Sequence, residues 1–136
     1  MNYASMNEVS EKIQSFRDLN AWKEGHTVVL MVYKATKSFP KDELFGLTNQ
    51  LRRATVSITS NLAEGFSSAS WKEKVQFYST SLASLSEVQN QLTIALDVGY
   101  LSQDVYNKIW GQSVTVSKLI NGLIKGARRL IALRSA

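Results

Sequence analysis

Six residues in the last third of the chain have types and spacing that could do chemistry together: Lys108, Trp110, Lys118, Lys125, Arg128 and Arg129. On a helix, Lys118, Lys125 and Arg129 fall within about a tenth of a turn of one another. Arg128 and Lys108 flank that line on opposite sides. Trp110 and Val114 point outward near Lys118 and Lys125. A row of cations beside an aromatic ring can hold phosphates and stack a base. The same row also reads as a solvated basic face, with Trp110 plugging a contact between subunits.

A second set carries little charge. In LRRATVSITSNLAEG, Arg53, Ser57, Ser60, Asn61 and Glu64 recur at helical spacing. They lie about half a turn from the apolar line of Leu44, Leu47, Leu51, Ile58 and Leu62. Arg53 and Glu64 are ~16 Å apart along one helix, so they cannot pair with each other. Val56, Ser57, Ser60 and Ala63 are small and would let another backbone approach. Opposite the core stripe of the next helix lie Ala83, Glu87, Ile94 and Val98, too apolar and too small for a free surface. Two such back faces imply contact with another subunit. Glu87 is then the candidate partner of Arg53, across that contact or between adjacent helices. The expected network is Arg53, Ser57, Asn61, Glu64 and Glu87, and its role would be to fix how bundles join. A solvated face of accidental composition is the alternative.

Catalysis and metal binding find little to work with. The 136 residues include one His and no Cys, which leaves no disulfide and no thiolate site. His26 lies on an apolar stripe with no Ser or carboxylate spaced to orient it, and it reads as a core histidine. Glu64 and Glu87 lack the Glu-x-x-His ligand set of a metal-binding bundle. There is no glycine-rich phosphate loop and no G-x-S-x-G. No catalytic residue, metal or cofactor is expected, and the chain reads as a non-enzyme.

The elements that must position these residues are helical. Hydrophobic residues make up 44% of the chain and charged residues 20%, values ordinary for a globular domain. Helical periodicity recurs four times, with no useful strand alternation. The first helix is expected from a cap at Asp18 or Asn20 to about Phe39. Its stripe is Trp22, His26, Val29 and Tyr33, with Leu30 and Val32 alongside, and Pro40 stops it. The second opens at PKDE, where Asp42 and Glu43 suit the positive helix end, and closes at Gly65 in a left-handed turn. Ser70 and Glu73 form a capping box for the third. Its stripe is Trp71, Val75, Tyr78, Leu82, Leu85, Leu92 and Leu96, and Gly99 ends it. Ser102 and Asp104 begin the fourth, with Val105, Ile109, Val116, Leu119, Leu123, Ala127 and Leu130 as its core line. Short links between long amphipathic helices predict an all-α, antiparallel up-down-up-down four-helix bundle over 16–136. Residues 1–15 are expected to be a flexible or loosely docked arm.

The net charge of +5 is unevenly placed. All eleven acids fall at or before Asp104, against ten Lys and Arg, while the last 32 residues carry six Lys and Arg and no acid. Such asymmetry points to a polyanion, RNA or DNA. Cations near a helix C-terminus also answer the macrodipole. No apolar run approaches the ~18 residues of a membrane span. The N-terminus lacks a basic region followed by an apolar stretch, so no signal peptide is expected and the cytoplasm is the default location.

FPKDELFGLTNQLRRATVSITSNLAEG resembles the signature of the four-helix-bundle proteins encoded within intervening sequences of bacterial 23S ribosomal RNA genes. The shared positions are Leu47, Gln50, Leu51, Arg52, Arg53, Ala54, Ser57, Ile58, Asn61, Leu62, Ala63, Glu64 and Gly65. FRDLNAWKEG resembles the way that family begins its first helix, through Phe16, Leu19 and Trp22, and Tyr33 matches a later Val-Tyr step. SLASLSEVQNQL is similar through Ser84 and Glu87, and IALDVGYL matches the end of the third helix. Gly25 stands where the family usually has Ala, and Ala83 where it often has Gly. The loop FSSAS lacks the Arg often found there. The resemblance spans Phe16 to Arg128. It implies a bundle that assembles into a homo-oligomer, a ring of five. The architecture is also similar to the accessory proteins of diversity-generating retroelements, basic pentameric bundles that bind nucleic acid and a reverse transcriptase. Two functions are therefore expected: an oligomeric accessory protein that binds nucleic acid through its fourth helix, or a protein-interaction scaffold with no direct nucleic-acid binding and Trp110 as its anchor.

Overall fold

The computed structural model describes residues 13–135. Four α-helices follow one another: α1 Asn20–Thr36, α2 Leu47–Ser67, α3 Trp71–Asp97 and α4 Gln103–Ser135. Short 3-10 turns at Phe16–Asp18 and Lys41–Glu43 precede α1 and α2. Residues 1–12 of the expected arm lie outside the described residues. Ser15 belongs to a capping box with Asp18, which accepts hydrogen bonds from the Gln14 and Ser15 amides. Those two bonds hold the Asp18 carboxyl below its ordinary pKa. Ser15 thus caps the 3-10 turn with Asp18 as its capping-box partner, and α1 itself starts at Asn20 without a side-chain cap.

Contacts between side chains fix the direction of each neighbour. Ser57 meets Ser84, while Ser81 donates to the Ile58 carbonyl, so α2 and α3 run antiparallel. The pairs Gln89–Ser113 and Thr93–Tyr106 give the same answer for α3 and α4. Arg52–Thr36 and the approach of Thr59 to Gly25 do so for α1 and α2. Gln112 donates to Glu24, and Ala35 shares a cleft with Ile109, so α1 and α4 are also antiparallel. The helices pack in the cycle α1–α2–α3–α4–α1, which is the expected up-down-up-down bundle. The core holds Val28 and Val32 from α1, Leu51, Ile58 and Leu62 from α2, Leu85, Val88 and Leu92 from α3, and Ile109, Val116 and Ile120 from α4. Each such side chain contributes roughly 1.5–3 kcal/mol by leaving water.

The α1 stripe differs from the expected one by about one residue. Its buried line is Ala21, Gly25, Val28, Val32 and Thr36. Leu30 and Tyr33 are 58% and 40% exposed. Small residues seat α1 against α2: a Cβ added at Gly25 would already lie 3.4 Å from a Thr59 methyl. Bulky aromatics there would hold the helices apart. They take the shoulder instead, where Trp22 meets Phe16 edge-on at 5.3 Å and stacks on His26 at 4.8 Å. His26 is accordingly half-buried on Trp22 and lies off the core line. Leu44 and Leu130, expected in the core, are 49% and 37% exposed.

Both ends of α2 also differ from expectation. It begins at Leu47 because Glu43, in its own 3-10 turn, reaches forward to accept from the Leu47 amide at 3.4 Å. At the other end Gly65 adopts no left-handed turn, and α2 runs on to Ser67. Gly65 is there because the Tyr78 ring lies flush against it: a Cβ would stand 2.5 Å from Tyr78 Cε1. The carbonyls of Gly65 and Phe66 are closed by Lys74 Nζ at 3.0 and 2.7 Å, a cation at the negative helix end. Ser70 caps α3 by accepting from the Glu73 amide. Gly99, at φ +85°, ends α3 as expected, with Tyr100 and Gly99 amides returning to the carbonyls of Ala95 and Leu96. Phe39 packs against Tyr100 in a tilted pair at 5.4 Å and ties the α1–α2 link to the α3–α4 link.

The two buried helical glycines are expected to answer the same substitution with opposite signs. Gly65→Ala overpacks against Tyr78 and should lose roughly 1–3 kcal/mol. Gly25→Ala has room for its methyl and should gain about 0.5–1 kcal/mol. Urea unfolding of both variants checks the contrast. Burial also pushes the Tyr78 phenol above its ordinary value of 10. The folded state therefore holds that proton more tightly than the unfolded chain. Its contribution is complete below about pH 10 and is lost as pH rises through the folded value. Tyr78→Phe should flatten that alkaline fall in the urea midpoint.

Candidate interaction surfaces

The outer face of α4 gathers the cations. Lys118, Lys125 and Arg128 line a shallow concavity of about 520 Å³ with Asn121, Gly122 and Ile124. Arg129 is exposed beside them. A helix anchored by Ile109, Ser113, Val116, Ile120, Ile124 and Ala127 must turn these positions outward. Lys108 stands apart. It lines a different cleft, between α4 and α1, with Met31, Lys34 and Ala35. It also forms the one ion pair among the described residues, with Asp104 at 3.2 Å.

Trp110 is 36% exposed and stacks on Tyr106 at 5.6 Å. A set of hydrogen bonds to α3 supports this pair. Thr93 Oγ1 donates to the Gln89 carbonyl at 2.9 Å, which leaves it to accept from the Tyr106 hydroxyl at 3.1 Å. Gln89 Nε2 donates to Ser113 Oγ at 2.9 Å, and Ser113 donates to the Trp110 carbonyl at 2.6 Å. Gln89, Thr93, Tyr106 and Ser113 were not legible as a unit. The available signal was Gln89 and Thr93 four apart on one side of α3, opposite Tyr106 and Ser113 flanking Trp110.

Across the bundle, the α2/α3 side brings part of the polar set together. Asn61 Nδ2 donates to the Ser57 carbonyl and hydroxyl at 2.8 and 3.1 Å, and Ser57 meets Ser84 at 2.8 Å. Gln91 donates to Glu87 at 3.3 Å. Arg53 and Glu87 face a cleft of about 300 Å³, with Asn49, Gln50, Ala54 and Ser57. No ion pair joins them within the chain, because Arg53 points to solvent from an exposed position. Glu64 and Ser60 are exposed on the same side. Around them Val56, Ile94 and Val98 are 40%, 42% and 55% exposed. Arg52, next to Arg53, faces α1: its Nε donates to Thr36 at 2.8 Å and its guanidinium lies 4.9 Å from the Tyr33 ring centre.

The profile of the 23S rRNA-intervening sequence proteins matches residues 17–122. The chain belongs to that family. A crystal structure of a protein of unknown function from the S23 ribosomal protein family of Bacteroides thetaiotaomicron is similar in fold, with a TM-score of 0.72 and 19% sequence identity. The match covers 77% of this chain and 95% of that one. No curated protein matches. The part matched to the intervening-sequence family includes Trp110 and Lys118 and stops short of Lys125, Arg128 and Arg129. Among the described residues no helix is long and apolar enough to cross a membrane, and no group of His, Asp and Glu is placed to hold a metal.

The Ser57–Ser84 contact is the half-buried polar link between α2 and α3. Ser57→Ala should cost about 1 kcal/mol by urea unfolding, since Ser84 loses its partner. Ser60→Ala, exposed one turn on, should change stability by no more than about 0.5 kcal/mol.

Proposed function

We propose that this intervening-sequence protein is a non-enzymatic, self-associating accessory protein that binds RNA or DNA through the outer face of α4. The observation that carries the reading is the division of the bundle into two unlike sides. The α2/α3 side presents Ala83, Ile94 and Val98 among serines and amides; Arg53, Glu64 and Glu87 are the charges along its middle, with Lys72, Glu73 and Asp97 at the ends of α3. The α4 side presents Lys118, Lys125, Arg128 and Arg129, and no acid follows Asp104. Sparse charge with exposed apolar groups suits a contact between copies. An acid-free row of cations suits a polyanion.

Because α4 lies diagonally across from α2, self-association through the α2 side leaves the cations free. A ring, five subunits as in the bundles it resembles, needs two different patches meeting head to tail. The register that sets Arg52 on Tyr33 also sets Leu30 level with Val56, which supplies an apolar strip on the α1 side of α2. In this arrangement Arg53 and Glu87 find their partners in the neighbouring subunit. The scaffold reading has its own support in the α1–α2 link, where Phe45 is 90% exposed beside Leu44.

Light scattering after size exclusion, with and without a structured RNA, tests both parts. The expected result is an oligomer near five times the monomer mass that gains RNA mass at low salt and sheds it at moderate salt. Affinity should fall by about 0.7–0.9 log units per log unit of salt for each phosphate held. Arg53→Ala should lower the oligomeric mass, and Lys118→Glu with Lys125→Glu should abolish RNA uptake at unchanged mass. An oligomer that ignores RNA at both salts would move the reading to the scaffold, and a monomer would overturn the α2/α3 contact.

A further inference from the structure

We infer that the α4 face selects an unpaired strand over a duplex, with Trp110 as the platform on which one exposed base stacks. This rests on the proposal that α4 binds nucleic acid. It follows from how Trp110 is held. An indole left in solvent for general contact needs no fixed orientation, yet one face of this one is held. Tyr106 stacks against it at 5.6 Å, and the Tyr106 hydroxyl is anchored on Thr93 of α3. Next to it, Gln89 of α3 donates to Ser113, which fixes the α4 backbone beneath the ring against α3. More than a third of the side chain still faces solvent. A ring held rigidly with free surface loses little entropy on stacking, which is the requirement for a platform.

Its place relative to the cations gives the geometry. Along α4, Trp110 lies ~12 Å from Lys118 and ~28 Å from Arg129. Trp110 and Arg128 are set about a fifth of a turn from the Lys118–Lys125–Arg129 line, on the side toward α3. A strand with phosphates along that line therefore turns a base toward α3 and onto the indole. At a stacked rise of 3.4 Å the row spans about eight nucleotides. A duplex offers its phosphates to the same cations but keeps its base faces covered, so Trp110 adds nothing to duplex binding. The selection follows from strand state, because every unpaired base offers a free face for stacking.

The test compares a labelled pyrimidine strand of about 12 nucleotides with its own duplex, on the intact protein, at about 50 and 200 mM salt. The strand should bind at least ~10-fold more tightly than the duplex. Trp110→Ala should weaken strand binding by roughly 5–150-fold, leave duplex binding unchanged and leave the salt slope unchanged. Trp110→Phe should keep most of the affinity. Equal binding of strand and duplex, or a Trp110→Ala protein that binds the strand normally, would overturn the inference and leave the α4 reading standing. A loss that tracks a change in oligomeric mass would also overturn it, by assigning Trp110 to a subunit contact. Failure of both probes to bind wild-type protein would remove the α4 reading itself.

Discussion

The close approach of α2 to α3 is the constraint on which the rest of the bundle depends. Along one seam, Gly65 lies flush against the Tyr78 ring, Ser81 bonds the Ile58 carbonyl, and Ser57 meets Ser84. Each contact needs a small residue on at least one helix. Together they pin the register of two long helices along the C-terminal half of α2. Helix packing distances follow the side chains at the contact, so small residues bring the axes together. Once α2 and α3 are set, Leu51, Ile58 and Leu62 meet Leu85, Val88 and Leu92, and the remaining helices have a template to close on.

That register has consequences at both faces. On the outside of the seam it leaves a strip where Arg53 and Glu87 open on one cleft and form no ion pair among the described residues. On the far side it orients α3 so that Gln89 and Thr93 point at α4. These two residues then hold Ser113, Tyr106 and Trp110. The surface where a base would stack is therefore coupled, through one helix, to the seam that sets the bundle. Substitutions at Tyr78 or Ser81 should for this reason be felt on α4 as well as in stability.

Much of this was legible in the sequence, and the failures have physical causes. Four amphipathic stretches, Gly99 as the end of the third helix and the acid-free last 32 residues all follow from residue type and spacing. The direction of the chain through the bundle follows from short links between long helices. On α1 apolar size is the wrong sign of burial. At a helix contact this tight, Ala21 and Gly25 are buried because they are small, and Trp22 is pushed to the shoulder because it is large. Gly65 is ambiguous for a related reason. A glycine near a helix end signals either a left-handed turn or a close approach, and only the position of Tyr78 decides between them. The Trp110 support was invisible because it joins residues 13 to 24 apart whose polar side chains are individually unremarkable.

Gln91 bears on what the polar seam is for. Its side chain is buried at the α2/α3 side, its amide nitrogen donates to Glu87, and its oxygen has no partner among the described residues. Rotating the amide would turn the oxygen toward the Glu87 carboxylate, so the observed orientation is the better of two poor ones. An unpaired buried acceptor costs roughly 1–3 kcal/mol, and an apolar residue of similar size would avoid that cost. Stability of the single chain therefore does not account for Gln91. The residue it supports is Glu87, which Gln91 holds at the rim of the cleft that Arg53 shares. A carboxylate held there at a cost to the monomer is explained if the group it faces comes from another subunit. The same logic applies to the exposed indole of α4: in both places the chain fixes the direction of a side chain that the proposed contacts would use.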